Sequence, residues 1–156
     1  MATKLKPGDP APDFAGLSTD GTPISLAQYR GRKLVLYFYP RDDTPGCTRQ
    51  ACSLRDHGAE IAAKGAAVLG VSTQDPASHT AFTRKYRLNF PLLADTGGKV
   101  GRAYGTLGGP GLAAKLKTAL GLARRVTFVI DAGGRIAHVI EHPDVAHHAE
   151  EVLALL

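Results

Sequence analysis

From Leu34 to Tyr39 the chain reads Leu-Val-Leu-Tyr-Phe-Tyr, a run of apolar and aromatic residues with no charged or small polar position inside it. A strand with one wet face alternates; an unbroken run of this length suits a strand covered on both faces. Such a strand belongs inside a sheet with layers on either side, which points to an α/β architecture. Pro40 ends the run, because proline cannot donate to a sheet ladder. Asp42-Asp43 then supply turn chemistry.

Thr44-Pro45 marks the start of a helix, with a hydroxyl at the cap and proline at the first helical position. Cys47 falls at the third position. First-turn amides lack intrahelical partners and the positive end of the helix dipole lies there, so this place favours the thiolate, the nucleophilic form of cysteine. Thr44, three residues back, can aim its hydroxyl at the sulfur or at a bound oxygen. The helix is expected to run to Lys64-Gly65, with Cys47, Ala51, Leu54, Gly58 and Ile61 on the stripe packed against the sheet. The other cysteine of the chain, Cys52, lies about 140° around that helix and about 7.5 Å further along its axis. A disulfide needs Cα atoms within roughly 7 Å and Cβ atoms that face each other. If the two sulfurs bond, the first turns must unwind. The stretch therefore suggests thiol redox chemistry with Cys47 as the attacking sulfur, against the alternative of an inert buried thiol.

The run Phe38-Tyr-Pro40-Arg-Asp-Asp-Thr44-Pro-Gly-Cys47-Thr48, with Cys52 five residues on, resembles the peroxiredoxins, and among them the bacterioferritin-comigratory or peroxiredoxin Q branch. The resemblance implies a thioredoxin-like fold with a mixed central sheet flanked by helices and an N-terminal β-hairpin extension. It implies a thiol peroxidase in which Cys47 is peroxidatic and becomes a sulfenic acid. It implies that Cys52 resolves the sulfenic acid through an intramolecular Cys47–Cys52 disulfide. Pro40 shields the sulfur, while Thr44 and an arginine hold the peroxide oxygens. By pattern that arginine is Arg125, in Arg-Val-Thr-Phe, with the adjacent Arg124 facing the other way as a solvated cation. Hydrogen peroxide and organic hydroperoxides are the implied substrates and thioredoxin the implied reductant, with a glutaredoxin-type donor the alternative; no cofactor is implied. The segment from Thr106 to Ala123 departs from the family pattern, which leaves substrate preference and any dimer contact open.

The rest of the chain suits that fold. Leu17 to Leu26, broken at Asp20-Gly21, reads as a hairpin, and Tyr29 is expected to pack inward. Ala67–Val71 reads as a second, parallel strand and Ser78–Tyr86 as a helix, with Ser72 and Thr73 serving helix capping and turn formation. Phe90–Ala94 suits a short strand, Lys99–Tyr104 a short helix, and Arg125–Ile130 with Arg135–Ile140 a hairpin joined by Asp131-Ala-Gly-Gly134. Asp144–Leu156 closes the chain as a helix. Residues 1–156 are expected to form one domain. Leu112, Leu116 and Leu120 stand at helical spacing among lysines; packing on the body of the domain is the plain expectation, a partner or dimer surface the alternative.

Other classes find less support. At 44% hydrophobic with no apolar run of transmembrane length, the chain is expected to be soluble, without a membrane partner. Residues Met1 to Asp9 lack the apolar segment of a signal peptide, so a cytoplasmic location is expected. The net charge of +5 is scattered and aromatics are scarce, so nucleic acid is not an expected ligand. A monomer is expected, with a weak dimer the alternative. Cys47, Cys52 and His57 spread around the helix, paired metal-ligand spacings are missing, and His147-His148 read as solvated, so no metal site is expected. A thioredoxin-like disulfide reductase would need Cys-x-x-Cys, which is absent from the sequence. A non-catalytic binding module would leave Cys47 unreactive.

Overall fold

The structure, a computed structural model, describes residues 3–156. The apolar run forms β3 (Lys33–Phe38), which lies inside a seven-stranded mixed sheet. Its neighbours are β4 (Ala66–Ser72), parallel, and β6 (Val126–Ile130), antiparallel. β5 (Leu92–Ala94) runs parallel to β4, and β7 (Ile136–Ile140) pairs antiparallel with β6. The N-terminal hairpin, β1 (Ala15–Ser18) and β2 (Pro23–Ser25), joins the same sheet through β1 against β5. The strand order is β2-β1-β5-β4-β3-β6-β7.

Alternation along β3 builds both cores at once. Leu34, Leu36 and Phe38 face one side with Leu69, Val71, Phe128 and Tyr104, while Val35 and Tyr37 face the other with Ala51, Leu54, Ile61, Phe82 and Val152. All three β3 residues of the first set and both of the second are buried, as a run without polar positions requires. On the first side lie the 3-10 turn Leu26–Tyr29, with Tyr29 buried, and α4 (Lys99–Ala103). On the second lie α1 (Pro45–Asp56), α2 (Gly58–Ala63), α3 (Pro76–Tyr86) and α6 (His148–Leu153).

Several expectations need correction. The helix expected to reach Lys64 is two helices, broken at His57. Gly58 has no side chain, so the Asn89 amide enters close to it, and Asn89 Nδ2 donates to the Arg55 carbonyl (3.1 Å) that an unbroken helix would use. Asp75, rather than Ser72 or Thr73, caps α3, accepting from Ser78 N at 2.9 Å, and the helix starts at Pro76. The closing helix begins with a 3-10 turn, Val145–His147. His148 is not solvated: it is fully buried, with Nε2 2.9 Å from Thr127 Oγ1 and Nδ1 2.9 Å from Glu151. The leucine helix exists as α5 (Leu112–Ala119), yet none of its residues is buried, and Leu112, Leu116 and Leu120 point outward.

Candidate active site

Strand β3 ends in Tyr39-Pro40, and the turn that follows is pinned from beneath. Asp42 Oδ1 accepts from the Tyr39 hydroxyl (2.6 Å), and Oδ2 accepts from the Ser78 hydroxyl (2.7 Å) and lies 2.6 Å from His79 Nδ1. His79 is fully buried, and its Nε2 donates to the Leu93 carbonyl at 3.1 Å, which can only accept. The Asp42 amide donates to Gln74 Oε1 at 2.9 Å. Burial raises the Asp42 carboxyl, but the hydrogen bond and charge of His79, with the Tyr39 and Ser78 hydroxyls, outweigh it and hold the group below the usual carboxylate range. Asp43 takes the left-handed conformation (φ 57°), which aspartate tolerates better than most residues, and accepts from Lys85 Nζ and the Tyr86 hydroxyl at 2.8 Å each. Both acidic residues thus tie the turn to α3.

The turn delivers Cys47 to the third position of α1, where it is 1% exposed and faces the sheet. Arg125, just ahead of β6, reaches it: Nη2 lies 3.3 Å from Cys47 Sγ, and Nη1 donates to Gln50 Oε1 at 2.7 Å. Arg124 turns the other way and donates to the carbonyls of Gly105 and Gly108. The glycine before the cysteine has a local reason. A Cβ on Gly46 would stand 3.2 Å from Arg125 Nη2, so a side chain there would crowd the guanidinium. Beneath the sulfur, Tyr37 is buried; burial, with the Cys47 charge adding, pushes its phenol well above the usual range, so it stays neutral. Among the described residues, neither Tyr37 Oη nor Gln50 Nε2 has a hydrogen-bond partner. Pro40 and Arg125 line a depression of about 750 Å³ together with Lys117, Arg124, Glu141 and His142.

Thr44 sits at the N-cap with extended backbone, but its side chain does not cap the helix. Its hydroxyl donates to the Arg41 carbonyl at 2.9 Å, while its own carbonyl accepts from Thr48 N at 2.8 Å. Cys52 is half-buried, and both thiols are free. Helix α1 is continuous between them, so regular geometry keeps them about 7.5 Å apart along the axis. The structure therefore sets Arg125 and Pro40 at one opening with Cys47 buried behind the guanidinium, turns the Thr44 hydroxyl into the adjoining turn, and leaves Cys52 on another side of the helix. Sequence reasoning missed Gln50. Its position, one turn from Cys47 on a helix whose inner stripe is otherwise apolar, was the available signal.

The family model for the AhpC/TSA family matches residues 7–139. Peroxiredoxin Bcp of Escherichia coli (strain K12) is 39% identical over 149 residues, 96% of this chain and 94% of that protein. The chloroplastic peroxiredoxin Q of Populus jackii is 39% identical over 154 residues, covering 98% of this chain and 68% of that one. Among solved structures, peroxidoxin BcpB of Mycobacterium tuberculosis superposes with a TM-score of 0.85 at 34% identity, covering 97% of this chain and 96% of that chain. A Xanthomonas campestris bacterioferritin comigratory protein, whose structure was determined in connection with alkyl peroxide reduction, superposes at 0.82 with 29% identity over 98% and 96%. The buried cysteine, its arginine and the thioredoxin-like sheet thus sit in a chain that belongs to the AhpC/TSA family, the thiol peroxidases known as peroxiredoxins, alongside peroxiredoxin Q and Bcp.

Proposed function

We propose that this chain reduces hydrogen peroxide and organic hydroperoxides at Cys47, resolves the product with Cys52, and is recycled by thioredoxin. The Cys47 thiolate attacks the outer peroxide oxygen. An S–O bond forms as the O–O bond breaks, the departing oxygen takes a proton and leaves as water or an alcohol, and Cys47 is left as a sulfenic acid. The observation that carries this reading is Arg125 Nη2 at 3.3 Å from Cys47 Sγ, with the second guanidinium nitrogen fixed by Gln50. A cation fixed there can stabilise charge on both the attacking sulfur and the departing oxygen, and it is set in place before the reaction starts. Pro40 shields the sulfur from the depression that it lines with Arg125. Thr44 takes part by rotating its hydroxyl from the Arg41 carbonyl toward the peroxide.

Cys52 then attacks the sulfenic sulfur, an S–S bond forms and water leaves. This step needs the turns between the two cysteines to unwind. An external dithiol returns both to thiols, and organic hydroperoxides enter the proposal from the alkyl peroxide reduction attached to the Xanthomonas relative. A cytoplasmic site of action and a single domain over residues 1–156 belong to the same proposal.

The test is peroxide consumption with thioredoxin and its reductase, alongside intact-mass measurement after one equivalent of peroxide. Cys47→Ser should abolish consumption. Cys52→Ser should still gain one oxygen at Cys47 but fail to cycle. Undiminished turnover in both variants would overturn the scheme, and cycling with glutaredoxin but not thioredoxin would overturn the choice of reductant.

A further inference from the structure

Helix α5 meets the protein through Ala114 and Thr118 and shows its leucines to water. Thr118 Oγ1 accepts from Gly108 N (2.8 Å) and donates to the Ala114 carbonyl (2.9 Å), and Ala114 and Thr118 are the half-buried residues of the helix. Leu112, Leu116 and Leu120 are 84%, 60% and 60% exposed. At about 100° per residue the three leucines form a stripe about 80° wide, and Lys115 and Lys117 stand about 100° to either side of its middle. Scattered exposed leucines need no explanation, but an aligned set on one helix marks an interaction surface.

Charge narrows the partner. Residues 96–130 contain Lys99, Arg102, Lys115, Lys117, Arg124 and Arg125 and not one Asp or Glu. Lys99, Arg102, Lys115 and Lys117 are exposed. A second copy docked across a two-fold axis here would set cations against cations with no carboxylate from this stretch between them. Leucines that stand proud of a convex helix, flanked on both sides by lysines that can reach outward, match a helix lying in a lipid interface, where no complementary groove is needed.

We propose that α5 docks the protein on anionic lipid bilayers, its leucines entering the headgroup boundary and its lysines meeting lipid phosphates. This revises the expectation of no membrane partner. The attachment is peripheral, since among the described residues no helix is long and apolar enough to cross a membrane. Lys117 also lines the depression that holds Pro40 and Arg125, so docking would set that opening beside the lipid surface. The proposal goes beyond the peroxidase reading and does not depend on it.

The experiment is co-sedimentation of the full chain with vesicles of phosphatidylcholine alone and of phosphatidylcholine mixed with phosphatidylglycerol. Binding should be about tenfold stronger to the mixed vesicles and should weaken with added salt. Leu112→Gln/Leu116→Gln, which keeps the net charge, should lose about tenfold of that binding while consuming hydrogen peroxide at the wild-type rate. Wild type that stays in the supernatant with both vesicles would overturn the proposal, as would equal binding by the leucine variant, which would mean charge alone. A wild-type dimer dissolved by the same variant, without vesicle binding, would assign the face to a second copy instead.

Discussion

The first turns of α1 and its last turn are held very differently. The last turn is tied down by residues from three other parts of the chain. Ala149 N donates to Ser53 Oγ at 3.0 Å, Asn89 Nδ2 donates to the Arg55 carbonyl, and Arg55 Nη1 donates to the Tyr86 carbonyl at 2.6 Å. His57, at the break, lies 3.3 Å from Glu150. The turn before the helix is equally fixed, with Asp42 and Asp43 bonded to α3 and its flanks. Between those anchors, among the described residues, the side-chain hydrogen bonds joining residues 45–52 to other parts of the chain are those that Arg125 donates to Cys47 and Gln50. The segment carrying both cysteines is thus clamped by hydrogen bonds at each end, and between them it is held by Arg125 and by the packing of its inner face. That difference places the unwinding needed for a Cys47–Cys52 bond, which local stability differences within one fold can permit.

Removing the middle link should have the largest effect. Arg125→Leu is expected to slow Cys47 oxidation by about 10²-fold or more, the usual loss when a fixed donor to developing charge is deleted. Stopped-flow peroxide kinetics would check it, and a near-wild-type rate would remove Arg125 from the chemistry. Gln50→Leu leaves the guanidinium present but unfixed, so a loss of about tenfold is expected in the same assay. Gly46→Ala, which pushes a methyl toward Arg125 Nη2, should give a loss of similar direction and smaller size.

Weakening an end clamp should act on the boundary and not on the attack. Ser53→Ala leaves the buried Ala149 amide without its acceptor and should cost about 1–2 kcal/mol in urea unfolding, with the first oxidation rate unchanged. The smallest effect expected concerns pH. Burial, with the Arg125 charge adding, lowers the His148 pKa, and Glu151 only partly opposes this. A histidine kept neutral by the fold contributes stability that is full above about 6.5 and is lost as pH falls toward its lowered folded value, because the unfolded chain binds the proton first. His57 is shifted the opposite way, so the comparison must be between wild type and His148→Gln. The loss of stability from pH 7 to pH 5 should be smaller in the variant, and identical losses would contradict the assignment.

Much of this was legible in residues 34 to 56. An apolar run with no polar alternation becomes a central strand, Thr44-Pro45 starts a helix, and of the expected stripe Cys47, Ala51, Leu54 and Ile61 are buried, while Gly58, at the start of the second helix, is only half-buried. What escaped depends on partners distant in sequence. The break at His57 is made by Asn89, and the burial of His148 depends on Thr127 across the sheet. Thr44 was readable as a cap by type, yet its hydroxyl prefers the Arg41 carbonyl offered by the tight turn. For α5 the spacing revealed an apolar stripe but not its direction, since glycines with positive φ at Gly111 and Gly121 flank the helix and let the chain present either face.

Amide exchange resolved by peptide, comparing the reduced chain with the chain oxidised by one equivalent of peroxide, tests the unequal hold on α1 most directly. Protection should fall across residues 45–52 and persist at Asp42 and from Ser53 to Asp56. Formation of a Cys47–Cys52 disulfide with protection across 45–52 unchanged, or lost evenly through Asp56, would contradict it.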